Sequence, residues 1–213
     1  IYTPDGTLRY SAGQVVDTVT SDKAGSAVSK ALYLGKYKIR EITAPAGMIA
    51  SKEVQAVELT YAGQEVTITE TASSIYNERQ KVAVTLEKAL EQNELFGIGM
   101  NGEITAVTFG LYAAEKLTAA DGMVIPADGL IEIVSINEKG QGAVSTDLPI
   151  GSYYLKEQAT DNHYVLSDEK YPIVFDGTSQ DTALVEIKAN NGSTIGNNLI
   201  YGDIHGLKKD DDG

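Results

Sequence analysis

Several residue patterns in this 213-residue chain have types and spacings that bear on chemistry. Gly97-Ile98-Gly99-Met100-Asn101-Gly102 spells G-x-G-x-x-G, the spacing with which backbone amides cradle a pyrophosphate. Thr105 to Tyr112 after it reads as strand, so no helix N-terminus is expected there to face an anion, and nucleotide binding is not expected. Asp210-Asp211-Asp212-Gly213 has the carboxylate density of a calcium loop but no bidentate Glu after it, and reads as a solvated turn. His163 and His205 sit beside turn or loop residues and supply neither a zinc site nor a Ser-His-Asp arrangement. Asn191-Gly192-Ser193 has the pattern of a glycosylation sequon. Tyr33, Tyr37, Tyr153 and Tyr154 have the makings of a sugar-binding stripe, but strand alternation sends half of them to the core. One spacing recurs: Lys88 stands eleven residues after Asn77, and Lys208 eleven residues after Asn197.

Any such groups must be positioned by strands. Gly35 to Glu41, Glu65 to Thr69, Val82 to Leu86, Ser152 to Glu157 and Ala183 to Ile187 alternate with period two and are rich in Val, Ile, Thr and Tyr. Gly, Asn, Asp and Pro punctuate the intervals between them. The pattern predicts an all-β fold built as antiparallel sandwiches. Helix is expected to be scarce; Glu87 to Leu95 and the region of Glu53 are the best candidates, and both are short enough to be strand ends.

Composition narrows the function classes. A hydrophobic share of 42% with 22% charged residues supports a packed core, and with no Cys the chain is not a disulfide scaffold. The net charge of −13 is uneven: residues 1–81 hold nine basic and nine acidic side chains, residues 82–213 eight basic and twenty-one acidic. Binding to phosphate backbones or anionic lipid needs Lys and Arg to displace counterions, so neither nucleic acid nor a membrane surface is expected as a partner. The opening Ile1-Tyr2-Thr3-Pro4-Asp5-Gly6 reads as a strand end and turn without an initiator Met, as in a piece of a longer protein.

An internal repeat divides the chain. Leu34-Gly35-Lys36-Tyr37-Lys38-Ile39-Arg40-Glu41 lies on Ile150-Gly151-Ser152-Tyr153-Tyr154-Leu155-Lys156-Glu157, both aliphatic-Gly-x-Tyr-x-aliphatic-basic-Glu. Ser21 to Gly25 matches Asn137 to Gly140, and Tyr76-Asn77 matches Gly196-Asn197. A period of this length implies two homologous domains, 1–80 and 81–202, with 203–213 opening a third. The first copy has no counterpart of Lys81 to Gly110, so it is expected without its opening strand.

Gly35 to Gly47, Val107-Thr108-Phe109-Gly110-Leu111-Tyr112 and Gly151 to Ser167 resemble the Cna B-type or SpaA-type domains of Gram-positive pilins and surface adhesins, transthyretin-like sandwiches strung in tandem. The resemblance covers nearly the whole chain. It implies an extracellular, cell-wall-associated stalk or spacer segment, not an enzyme, whose partners are adjacent repeats of the same parent protein, with neighbouring copies as a further option. It also implies a self-made amide between a first-strand Lys and a last-strand Asn, promoted by a buried acid. Carried over residue by residue, those roles fall on Lys88, Asn197 and Glu157 in the second domain, and on Asn77 and Glu41 in the first. Asn198, Asn190 and Asn191 stand close enough in sequence to compete with Asn197; alternation lets only one of Asn197 and Asn198 face the core.

The chemistry such a site requires is simple. An ammonium cannot attack, so burial must lower the lysine pKa; the same dryness favours a neutral acid that can donate to the carboxamide oxygen and shuttle protons as ammonia leaves. No cofactor or metal is needed, and the reaction runs once per molecule. Phe109 and Tyr153 are candidate walls of the site. A further option is that Lys208 of a neighbouring molecule completes the first domain and bonds Asn77 by strand complementation. The rival classes are a ligand-binding adhesive module for a host protein or glycan, using loops or a sheet face, and a glycan-active enzyme, which needs a cleft with paired carboxylates.

Overall fold

Val- and Tyr-rich alternation becomes strand almost wherever a partner strand is available, and helix is confined to two 3-10 turns among the described residues. The computed structural model describes residues 1–118 and 122–208. Its contacts fall into two units, one of Ile1–Ala44 with Ala50–Glu78 and one of Pro45–Ile49 with Arg79–Gly213.

The first unit contains strands β1 (Gly35–Arg40) and β2 (Val54–Leu59), paired antiparallel with Gly35 opposite Leu59. Ala44 is its one buried hydrophobic residue, while Tyr2, Leu8, Val28, Ile42, Ile68 and Tyr76 are exposed. The expected strand Glu65 to Thr69 does not form. The second unit supplies the reason, because there the corresponding segment pairs only with the long strand that opens the domain, and residues 1–34 provide no such strand.

Among the described residues the second unit carries ten strands. They are β3 (Lys81–Leu90), β4 (Thr108–Ala113), β5 (Leu117–Thr118), β6 (Val124–Ile125), β7 (Leu130–Ser135), β8 (Gln141–Ala143), β9 (Gly151–Ala159), β10 (Lys170–Phe175), β11 (Leu184–Lys188) and β12 (Ile195–Asn197). One sheet has the order β10-β9-β4-β7, all antiparallel. The other is organised around β3, which pairs with β11 over its first half, with β12 over its last residues and with β8 between. The β3–β11 and β3–β12 pairs are parallel, which departs from the all-antiparallel expectation. Parallel neighbours need a long crossover, and the whole domain serves as one.

Val84 and Leu86 of β3 meet Phe109, Leu111, Leu155, Ile173 and Ile195 in one buried cluster between the sheets. Each such side chain contributes about 1.5–3 kcal/mol by leaving water. Glu87 to Leu90, a helical candidate in the sequence, lies within β3. Alternation predicted Tyr153 and Tyr154 partly inward; both are buried, and the Tyr154 hydroxyl donates to Asp128 at 2.7 Å. The domain limits 1–80, 81–202 and 203–213 remain a sequence reading beside this division.

Candidate functional site

β3 buries every second residue from Val84 onward, and the third in that series is Lys88. A charged residue at an apolar position of a central strand needs a partner, and β12 provides it. Ile195 is in register with Lys88, so Asn197, two residues on, points to the same side of the sheet. Lys88 Nζ donates to Asn197 Oδ1 at 2.7 Å, and to the carbonyls of Ala89 at 3.2 Å and Ile195 at 3.3 Å. Asn198 is exposed, and Asn190 and Asn191 occupy a 3-10 turn with φ of 52° at each, so neither takes the place of Asn197.

The acid comes from the opposite sheet. Glu157 near the end of β9 is buried, and its Oε1 lies 3.7 Å from Lys88 Nζ, both side chains being fully shielded from solvent. Asn197 Nδ2 donates to Glu157 Oε1 at 2.9 Å and Oε2 at 3.0 Å. The carboxamide thus meets the acid through its nitrogen, where the sequence argument had expected the acid to donate to its oxygen. The oxygen is already taken by the amine.

Three neighbours complete the pocket. The backbone N–H of Ser167 donates to Glu157 Oε2 at 2.9 Å, and Thr160 Oγ1 accepts from Asn197 Nδ2 at 3.0 Å. Phe109, fully buried, is paired with Glu157 across the β4–β9 ladder, with its ring tilted against Tyr171 at 6.3 Å between centroids. Phe109 therefore stands beside the acid as expected. Tyr153 is a core residue whose hydroxyl donates to the Pro149 carbonyl at 2.6 Å, four residues up β9 from the acid.

Burial pushes the Lys88 amine below its ordinary pKa of 10.5, and the neighbouring Glu157 only partly offsets this. The lysine backbone is pinned as well. Its N–H donates to Gly140 O at 2.7 Å, and Gly140, at φ 78° in the β7–β8 turn, approaches so closely that a Cβ there would sit 2.2 Å from the Lys88 carbonyl oxygen.

The first unit holds a partial copy. Asn77 Nδ2 donates to Glu41 Oε2 at 2.6 Å, and the backbone N–H of Ser51 donates to the same oxygen at 2.7 Å. Lys208 is exposed and lies outside any strand.

In the glycine-rich segment the Glu103 carboxylate accepts the N–H groups of Gly99 at 3.1 Å and Asn101 at 2.7 Å, so the nest that would take a phosphate holds an anion of its own. Those bonds pull the Glu103 pKa down. His163 and His205 are exposed, the former 2.6 Å from Asp161 Oδ1. No group of three or more potential metal ligands occurs among the described residues, and the Asp210 to Gly213 segment lies outside them.

The architecture defines a class: two-sheet sandwiches whose first and last strands lie side by side, with an amine, a carboxamide and a carboxylic acid gathered in the core. The family model of the SpaA prealbumin-like fold domain matches residues 1–72 and 98–193, and the chain belongs to that family. Glu41 and Glu157 fall within the matched stretches; Lys88, Asn77 and Asn197 fall outside them.

Among solved structures, the Bacillus anthracis TIE protein is similar at 20% identity over 85% of this chain and 28% of that one, with a TM-score of 0.56, which supports the fold. The C-terminal fragment of pilus adhesin SpaC from Lactobacillus rhamnosus GG matches at 17% identity over 97% of each chain, with a TM-score of 0.46. BcpA, the major pilin subunit of Bacillus cereus, matches at 18% identity over 55% of this chain and 29% of that one, with a TM-score of 0.31. The chain thus spans less than a third of the length of the TIE protein and of BcpA. No curated protein matches it. No helix among the described residues is long and apolar enough to cross a membrane.

Proposed function

We propose that this chain is a stalk or spacer segment of an extracellular, cell-wall-associated pilin or adhesin of a Gram-positive bacterium, and that its second domain seals itself with an amide between Lys88 and Asn197. The observation that carries the reading is the 2.7 Å approach of Lys88 Nζ to Asn197 in a core where, among the described residues, Glu157 is the sole carboxylate within ion-pair distance of the amine. Family membership supports the pilin-like role. The domain limits are those of the repeat, 1–80 and 81–202, with 203–213 opening a further one.

The proposed reaction is a single turnover. Lys88 passes a proton to Glu157, and the neutral Nζ attacks Asn197 Cγ. Glu157 returns the proton to Nδ2, with which it is already in contact. The Cγ–Nδ2 bond breaks and the nitrogen leaves; the surplus proton on Nζ goes to the Glu157 carboxylate and leaves with the ammonia as ammonium. Glu157 ends as it began while Lys88 and Asn197 are consumed, so the reaction runs once, within this chain. Mechanically, an amide joining adjacent first and last strands carries tension past the sandwich through covalent atoms. Intact-protein mass spectrometry is the test: the purified chain should be lighter by one ammonia, and Lys88→Ala should show no such loss. A wild-type chain of full mass sinks the reading.

The Glu41–Asn77 pair favours a second reading for the first domain. With Ser51 it reproduces the Glu157–Asn197–Ser167 geometry, and Lys208 follows Asn197 at the interval that separates Lys88 from Asn77. In this reading the Lys208 strand of a neighbouring copy enters the first domain and bonds Asn77. Denaturing electrophoresis should then show a ladder that Lys208→Ala and Asn77→Ala each remove. Chains that all run as monomers exclude it.

A further inference from the structure

Asn197 Nδ2, the atom that departs in the proposed reaction, is held by three acceptors: the two Glu157 oxygens and Thr160 Oγ1 at 3.0 Å. Thr160 follows directly on β9, is half-buried, and leads into exposed Asn162, so its hydroxyl lies between the shielded carboxamide and solvent. The internal repeat puts Ala44, a residue without a hydroxyl, at this position, three residues after Glu41. Thr160 is thus particular to the second domain, the one that also holds Lys88, and its hydroxyl is aimed at the nitrogen that must depart.

We propose that Thr160 is a catalytic residue of the Lys88–Asn197 reaction, a cradle that receives the leaving nitrogen on the solvent side. The inference rests on the crosslinking reading given above. Before attack, Thr160 Oγ1 accepts one N–H of the carboxamide and holds its plane, with Oδ1 toward Lys88 and Nδ2 toward the acid. When Glu157 returns its proton to Nδ2 and the Cγ–Nδ2 bond breaks, the nitrogen gains hydrogens and needs acceptors. Thr160 supplies one on the side away from the new amide. Ammonia that stays against Cγ can reverse the reaction by attacking it; ammonia held at Thr160 is directed outward instead. No oxidant or other reactant enters, and one ammonia leaves for each amide made.

The test follows the full chain made by cell-free translation in a short pulse, quenched in acid at intervals and weighed intact. Thr160→Val keeps the shape and removes the hydroxyl. Losing one neutral hydrogen bond to the reacting nitrogen should slow ammonia loss roughly tenfold. Thr160→Ser should return the rate to within about twofold of wild type. Thermal unfolding of both variants in a Lys88→Ala background, where no bond forms, separates chemistry from folding; Thr160→Val should melt only a few degrees below Thr160→Ser, about the cost of one hydrogen bond. A Thr160→Val chain that loses ammonia at the wild-type rate overturns the proposal alone. So does a slowing that Ser does not rescue and that tracks a lower melting temperature in the Lys88→Ala background. A wild-type chain that never loses ammonia overturns this proposal together with the crosslinking reading.

Discussion

Ser167 presents its backbone N–H to Glu157 Oε2 at 2.9 Å, and this bond decides which oxygen faces the amine. With Oε2 engaged, Oε1 is left 3.7 Å from Lys88 Nζ, a separation that a small rotation turns into proton transfer. Glu157→Gln should preserve the shape, since the glutamine oxygen can still accept from Ser167, but an amide cannot carry the proton between Nζ and Nδ2. The variant should fold and keep its full mass over days. Ammonia loss from Glu157→Gln at a rate near that of wild type would remove the acid from the mechanism.

The crosslink also changes what unfolding can release. Lys88 and Asn197 are 109 residues apart, and closing a loop of about that length removes unfolded-state entropy worth about 4–5 kcal/mol in the chain-entropy model. Lys88→Ala should therefore unfold earlier by more than its lost packing explains. For a domain of this size the drop should be roughly 10 °C or more. Differential scanning calorimetry of wild type, Lys88→Ala and Asn197→Ala measures it; similar losses for the two variants are expected, because either removes the same bond.

Protonation of Lys88 sets two pH effects. Burial lowers its pKa in the folded, unlinked chain, and the proposed step uses the one proton that Lys88 hands to Glu157, so bond formation should slow as pH rises through that lowered value. For stability the sign follows from proton counting. Between the lowered folded value and the ordinary 10.5, the unfolded state binds more protons than the folded one, so stability rises with pH. Below the folded value the contribution is flat, and it is least favourable there. Asn197→Ala, which keeps Lys88 buried and unlinked, should gain resistance to urea as pH rises from the lowered value toward 10.5, relative to a Lys88→Met control. An equal response in the two variants would show that Lys88 keeps its ordinary pKa.

Much of this site was legible because the sequence repeats. The acid role came to Glu157 from the family resemblance, and the repeat placed Glu41 at the same position in the other copy of the strand. Alternation allowed only one of Asn197 and Asn198 to face the core without saying which, and the structure buries Asn197 and exposes Asn198. Ser167 could have been found by the same offset, since Ser51 and Ser167 each stand ten residues after their glutamate. Thr160 carried no such signal, because the repeat has Ala44 there, and only a three-dimensional contact assigns it a partner. The Glu65 to Thr69 segment failed for a different reason. Its alternation is real, but a strand needs a neighbour, and periodicity cannot say whether one is present.

Gly140 is the remaining position where local backbone and chemistry meet. It lies in the turn between β7 and β8, with φ 78°, a conformation that favours glycine, and its carbonyl accepts the Lys88 N–H at 2.7 Å. An alanine there faces two penalties: the left-handed backbone costs about 1–2 kcal/mol, and a Cβ 2.2 Å from the Lys88 carbonyl oxygen forces the strand away. The lysine backbone has no flexible end that can yield, so the displacement passes directly to β3. Nζ must then leave its 2.7 Å contact with Asn197, and near-attack geometry fails with shifts of about 1 Å. Gly140→Ala should therefore lower stability by at least about 2 kcal/mol in a Lys88→Ala background, where no crosslink contributes. On the wild-type background it should slow ammonia loss by roughly a hundredfold. Gly102→Ala offers a control, since that glycine also has a positive φ, 87°, but no atom within 4 Å of the added Cβ. It should show the backbone cost without the loss of rate, which separates a turn that merely folds from one that aims the nucleophile.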